Sequence, residues 1–406
     1  MSEELLRDTP LSEDGSWRWN GTQWEPNMPG SEHEAIQALT RESGFPTPAG
    51  LVRVPDAPSR SLAADNDDLS QALAKRHRSK PIPRAGMRSL LYQVTAGRVN
   101  LGASERELHQ DELVQKIRSG IASRPHRLGV GSAKGGVGKT TLSLLLTSRL
   151  GLERKDLPLY VEANPHHGTC RERIHLQHEE SISDLLEFLR SRGGPELDLE
   201  VGQPRVNSFA PVVSEMGMAV LTAPRDSWTR AALDDESYRR ILRLLYHYCQ
   251  SFLTLDLGTG LVDSATTYAF QVCDQALIVS SPTADTASLA DKTMRYVADL
   301  RGVEFVRERV LVIINEVDGS KGAKQDVEVL TNHFGRHVRK VLHVRRDPHL
   351  AEGTFLDWTK ISRPVCDDLQ EVAAEVASGF ALGFAQDNDP VLEERRLRSL
   401  TESSAR

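Results

Sequence analysis

The 406-residue chain has only four cysteines, Cys170, Cys249, Cys273 and Cys366, and no two form a C-x-x-C pair. Such spacing argues against a disulfide framework or a structural zinc site. It predicts buried free thiols in a reducing cytoplasm. No apolar run approaches the roughly 18 residues that a membrane-spanning helix needs. The opening MSEELLRDTP lacks the basic-then-apolar order of a secretory signal. A formal net charge of -7 excludes a chain that is basic overall, although local basic patches remain open.

Apolar residues are also sparse at the start of the chain. Residues 1–74 hold 13 acids against 5 bases, with many Pro, Ser, Gly and Asp. Such a stretch buries too little apolar surface to offset its ordering entropy, so a mostly disordered acidic region is expected. One island stands out. Residues 14–26, DGSWRWNGTQWEP, hold Trp17, Trp19 and Trp24. WRWNG alternates aromatic and polar residues, and Asn20-Gly21 is a hairpin-turn signal, so a small two- or three-stranded ribbon is expected. It resembles the short W-x-W-x-G-x-x-W modules of many actinobacterial proteins. A docking module and a marginal hairpin both remain open.

Charge then reverses. Lys75, Arg76, Arg78, Lys80, Arg84, Arg88 and Arg98 fall in a stretch, 75–99, without an acid. The mixture of bases with Leu90, Leu91, Tyr92 and Val94 has two readings. One is a basic amphipathic helix for an anionic membrane or another acidic surface. The other, favoured by the apolar residues and a capping Gly97, is a linker and first helix packed on the next domain. ERELHQDELVQKIRSG, residues 105–120, reads as a helix carrying Leu108, Leu113 and Ile117. Residues 75–124 therefore form a basic linker and helical segment.

From Arg127 short apolar runs alternate with longer amphipathic stretches. Seven runs, from RLGVGS to RKVLHV, read as strands, with six helices between and after them. The expected fold is α/β, a mostly parallel P-loop sheet with helices on both faces, over residues 125–385. Residues 386–406 read as a polar tail.

RLGVGSAKGGVGKTTLSLLLTSRLG is strand, glycine loop and helix. Gly135, Gly136, Val137 and Gly138 would let backbone N–H groups converge on phosphate oxygens, and the helix N-terminus adds partial positive charge. Lys139 would neutralise the β and γ phosphates. Thr140 would offer its hydroxyl to Mg²⁺, and Thr141 would reach the α phosphate side. Asp256 ends the apolar run SFLTLDLG, where a carboxylate can hold Mg²⁺. Gly258 would give a switch that senses the γ phosphate. Asn315 ends VLVIIN, where its amide can pair with an adenine edge. ATP and Mg²⁺ are the implied cofactors.

Ala133 stands where the usual pattern asks for Gly, but KGGVGKTT carries a second lysine, Lys134, at the front. In this form the chain resembles the MinD/ParA family of deviant Walker-A ATPases, over roughly residues 125–385. The resemblance implies an ATP-sandwich dimer with Lys134 reaching the partner's phosphates, and it matches Asn315 and Asp347 to base-binding positions. Arg345 stands where that segment commonly has proline. The family's D-x-D strand end aligns with Glu162, Ala163 and Asn164. Asn164 cannot accept a proton as a carboxylate can, so binding would survive while hydrolysis slows or needs a partner. Lys134, Lys139, Asn164 and Asp256 are the implied catalytic set. His166 and His167 read as solvated loop residues.

Three branches are open. RHVRKVLHVRR, residues 336–346, with five Lys/Arg and no acid, keeps open a ParA-type partition ATPase that binds DNA without sequence preference. A MinD-type C-terminal amphipathic helix is not evident. The basic helical segment with DLGTG, IIN and DPHLAEG is more similar to the actinobacterial type VII (ESX) secretion-associated, EspI-like proteins. That resemblance implies a cytoplasmic dimerisation switch that meets a protein partner at a membrane-embedded secretion complex through the N-terminal region, with peripheral membrane contact. A non-hydrolysing, nucleotide-bound scaffold is the alternative from another class.

Overall fold

The computed structural model describes residues 17–19, 24–26, 80–84, 86–119, 125–163, 168–192, 203–224, 235–249, 251–260, 264–317 and 323–382. The chain divides into two units, Met1–Ser79 and Lys80–Arg406. In the first, strands β1 (Trp17–Trp19) and β2 (Trp24–Pro26) pair antiparallel, with Trp19 in register with Trp24. The tryptophan run thus forms a two-stranded hairpin. Its turn at Asn20-Gly21, and the expected disorder of the surrounding residues, lie outside the described residues.

The second unit begins with helices α1 (Gly86–Val94) and α2 (Glu105–Ile117). Ser104 and Glu107 close a capping box that fixes the start of α2. Leu113 and Ile117 are buried, whereas Leu108 stays exposed. The chain continues through β3 (His126–Gly131), α3 (Lys139–Arg154), β4 (Leu159–Ala163), α4 (Cys170–Arg173), α5 (Ile182–Arg192) and α6 (Gln203–Phe209). Then come β5 (Val212–Val213), β6 (Met218–Leu221), α7 (Asp235–Tyr248), β7 (Phe252–Leu257), α8 (Ser264–Val272) and β8 (Gln275–Ser280). The rest is α9 (Ala284–Arg301), α10 (Val303–Arg309), β9 (Val310–Asn315), α11 (Ala323–Phe334), β10 (Lys340–Val344), α12 (Pro348–Ala351) and α13 (Arg363–Ser378).

The eight strands β3–β10 form one sheet in the order β10-β9-β8-β3-β7-β4-β6-β5. Every pairing is parallel except β5 with β6. All seven expected strands are present. The eighth, β5, is a two-residue edge strand too short to leave a pattern in sequence. Side-chain alternation splits the core between the two faces. Leu253, Leu255, Ile278 and Val312 pack in one cluster, and Phe252, Leu277, Val279 and Leu311 in the other. Burial on both faces explains the near-continuous apolar strands.

The six expected helices appear as α3, α5, α7, α9, α11 and α13. Helix α8, SATTYAFQV, has no such signature. Thr, Tyr, Phe and Val are indifferent helix formers, and burial of Tyr268, Ala269 and Phe270 holds it instead. Helix α2 packs against α13. Arg106 pairs with Asp367, to which Gln110 Nε2 also donates at 3.3 Å.

Candidate nucleotide site

Strand β3 is central, with β7 and β8 on either side, so the loop after it opens at a topological switch point of the sheet. Gly136 and Gly138 both have φ +82°, a conformation side chains rarely adopt. A Cβ at Gly138 would also strike Asn315 Nδ2. Helix α3 starts at Lys139 with no side-chain cap, leaving first-turn N–H groups for an anion. The loop forms one wall of a cavity of about 480 Å³. Lys134, Gly135, Gly136, Gly138, Lys139, Thr140 and Thr141 line it, together with Thr259, Asn315 and Asp347. Gly258, the residue before Thr259, is buried and is not part of the lining.

Asp256, fully buried at the end of β7, gathers four donors. Lys139 Nζ lies 2.6 Å and Ser143 Oγ 3.2 Å from Oδ1. Thr140 Oγ1 lies 2.7 Å and Tyr160 OH 2.8 Å from Oδ2. Burial and then the Asp256 charge push the Tyr160 phenol well above its ordinary value, so it stays a neutral donor. Tyr160 and Ser143 carry no motif. Ser143 follows Lys139 by four residues, one helical turn, which is the only sequence cue to it.

The site fits Mg²⁺ and a nucleotide. A threonine hydroxyl and a buried carboxylate are hard oxygen donors 2.7 Å apart beside the glycine loop. Mg²⁺ needs only one or two protein oxygens when phosphates and water complete its shell. Among the described residues, no group of three or more His, Cys, Asp or Glu could hold a metal.

The two residues matched to base-binding positions bind the protein itself. Asn315 Nδ2 donates to the Val137 carbonyl at 2.8 Å, tying β9 to the phosphate loop. Asp347 is buried; its Oδ1 accepts from Leu350 N at 3.1 Å and its Oδ2 from Ser362 N at 2.8 Å. Burial pushes this carboxyl up, but the Ser362 N–H and hydroxyl and the Leu350 N–H outweigh it and hold the group below its ordinary value. Arg345 is fixed to α13, with Nε 2.8 Å and NH2 2.6 Å from the Asp368 carboxylate. Arg173, unmarked in sequence, also lines the cavity and donates to Thr354 O at 3.4 Å.

Lys134 also lines the cavity, but its ammonium pairs elsewhere. Its side chain is 46% exposed, against 8% for Lys139, and Nζ meets Asp285 Oδ2 at 2.7 Å. Lys134 and the Thr283 hydroxyl hold the Asp285 carboxyl well below its ordinary value.

Asn164, with Pro165, His166 and His167, lies outside the described residues. Glu162, two residues earlier, is buried and clamps backbone. Its Oε1 accepts from Cys170 N and its Oε2 from Ala223 N, both at 3.0 Å. Three of the five bases in 336–346 are paired with acids of α13. Arg339 and Lys340 each lie 3.2 Å from Glu375, and Arg345 is on Asp368.

The parallel sheet, the glycine loop after its central strand and the Lys139–Thr140–Asp256 cluster together make an α/β fold of the P-loop kind. The chain is similar to the ESX-1 secretion-associated protein EspI of Mycobacterium tuberculosis, in strains CDC 1551 and H37Rv. Identity is 25% over 303 residues, 74% of this chain and 43% of the relative. The chain therefore spans less than half the length of the curated relatives it matches. Solved structures similar to it include a ParA family ATPase from Chlorobium tepidum, at 14% identity and TM-score 0.45, over 63% of this chain and 98% of that one. Another is the cell division ATPase MinD of Pyrococcus furiosus, at 17% identity and TM-score 0.47, over 62% and 97%. No family model matches the chain.

Proposed function

We propose that this protein is an ATP-dependent dimerisation switch that hydrolyses ATP slowly or with a partner's help. The observation that carries the reading is the division between the two loop lysines. Lys139 is buried on Asp256, and Lys134 is half exposed at the rim. In this reading Lys139, Thr140, Thr141 and the loop N–H groups bind the phosphates, and Thr140 and Asp256 hold Mg²⁺. The magnesium, when bound, neutralises charge developing on the phosphates. Lys134 leaves Asp285 to reach the nucleotide of a second protomer. An exposed pair of this kind is cheap to break. The γ phosphate supplies the contact that favours the dimer.

The likeness to EspI supports an accessory role at a type VII secretion complex, met from the cytoplasm by way of the N-terminal region. The DNA-partition reading is weaker, because Glu375 and Asp368 already neutralise three of the five candidate bases.

Light scattering and ATP titration test the switch. Lys139→Ala should weaken ATP binding by roughly 10- to 100-fold, the loss expected for a charge-assisted hydrogen bond. Lys134→Ala should keep ATP affinity within a few-fold yet remain monomeric. A Lys134→Ala protein that dimerises with ATP as the wild type does would end this reading. Asn164→Asp should raise steady-state turnover, and equal rates would remove the water-positioning argument while leaving the dimer intact.

A further inference from the structure

Helix α1 is inside out. Met87, Leu90, Leu91 and Val94 recur at i, i+3, i+4 and i+7, the spacing of a core-facing stripe. Yet they are 83%, 57%, 38% and 76% exposed, and the one buried residue of the helix is Ser89, on the opposite side. Scattered exposed apolar residues are ordinary; a complete stripe turned outward is not.

The segment is held in this pose by polar contacts that leave the stripe unused. Arg84 N donates to Glu107 Oε1 at 2.7 Å, and Arg84 NH1 meets Asp111 Oδ1 at 2.7 Å. Asn100 Nδ2 donates to Lys80 O at 2.7 Å, and Gly97 N to Tyr92 O at 2.8 Å. Ile82 and Leu101, on the flanking chain, are also exposed.

Charge identifies the occupant. Arg88 on α1 and Lys80 and Arg98 on the flanking chain are exposed, and no acid occurs between Lys75 and Ser104. A second copy packed stripe to stripe about a two-fold axis would bring these cations together without counter-charge. Protein interfaces tend instead to ring an uncharged centre with a mixed polar rim. A bilayer of anionic lipid supplies both halves, acyl chains for the stripe and headgroups for the bases.

We infer that α1 is a surface helix for an anionic membrane, entering the headgroup boundary with Met87, Leu90, Leu91 and Val94. This goes beyond the nucleotide switch and does not depend on it. The test is co-sedimentation of the full chain, without nucleotide, with phosphatidylglycerol–phosphatidylcholine vesicles and with pure phosphatidylcholine vesicles. Wild type should bind the anionic vesicles and bind the neutral ones at least about tenfold more weakly. Met87→Ser/Val94→Ser should lower anionic-vesicle binding by about tenfold or more at unchanged thermal stability, since both side chains are exposed. Lys80→Gln/Arg98→Gln should lower it by a similar factor and flatten its salt dependence. The assay contains no nucleotide, which separates failure here from failure of the ATP reading. Wild type that ignores the charged vesicles, or a stripe variant that binds them undiminished, overturns the inference. So does sedimentation velocity showing that the stripe substitutions dissolve a nucleotide-free dimer.

Discussion

Two buried aspartates, Asp256 under the Lys139 and Thr140 side chains and Asp347 in the cavity lining, spend their oxygens differently. Asp256 holds an ammonium and three hydroxyls, all on side chains. Asp347 is held chiefly by backbone, the Leu350 and Ser362 N–H groups, with the Ser362 hydroxyl beside them. A side-chain donor such as Lys139 or Thr140 can turn to a phosphate or a metal when one arrives. A backbone N–H that caps α12 cannot leave without moving the loop. The Asp256 cluster is therefore built to exchange partners, and the Asp347 loop is built to hold its shape.

The largest effect should come from breaking the first cluster. Asp256→Asn leaves the Lys139 ammonium beside a neutral amide. Losing one partner of a buried pair costs about 3–5 kcal/mol, and access to Lys139 from the cavity places this case near 3 kcal/mol. Urea unfolding should read that loss, together with loss of Mg²⁺-dependent ATP binding. Asp347→Ala should cost somewhat less, about 2–3 kcal/mol, for two N–H groups without an acceptor and a lost helix cap. Its ATP affinity should fall only as far as the loop loosens. If Asp347→Ala is stable but no longer binds ATP, Asp347 touches the nucleotide and the contrast between the two aspartates collapses.

The same contrast explains what the sequence disclosed. The glycine loop and the Asp256 cluster were legible because their chemistry dictates spacing: glycines, then Lys139 and Thr140 at the first turn of a helix, then a carboxylate ending an apolar strand. Those constraints act within short segments. The partners Tyr160 and Asp285 were not legible, because only the fold brings them near. Asp285 lies 151 residues from Lys134. The residues matched to base-binding positions were half legible. Asn315 and Asp347 were located, but what they bind, Val137 O and the Leu350 and Ser362 N–H groups, depends on loop paths that carry no periodicity. Helix α1 inverted a rule: its apolar stripe reads as a core face in sequence and is the outer face in the fold.

Glu162 sharpens the comparison, since it is a third buried carboxylate and clamps backbone as Asp347 does. Its surroundings push the other way. Burial raises its pKa, from 4.5 to about 6, with the nearby Asp256 charge adding to the rise and the Ala223 and Cys170 N–H groups opposing it. Because the folded value is raised, the stability it contributes is fully present below the ordinary pKa of 4.5 and is lost as pH rises through about 6. The shift corresponds to about 2 kcal/mol. Glu162→Gln has a fixed cost at all pH, since its amide accepts from only one of the two N–H groups. It does not titrate, however. The stability advantage of wild type over Glu162→Gln should therefore shrink by about 2 kcal/mol between roughly pH 4 and 7.5, measured by urea unfolding at each pH. A difference that stays flat across that window would mean that two N–H groups suffice to hold Glu162 at its ordinary value. In that case backbone clamping alone, without the Asp256 charge, would set the pKa of both clamping carboxylates.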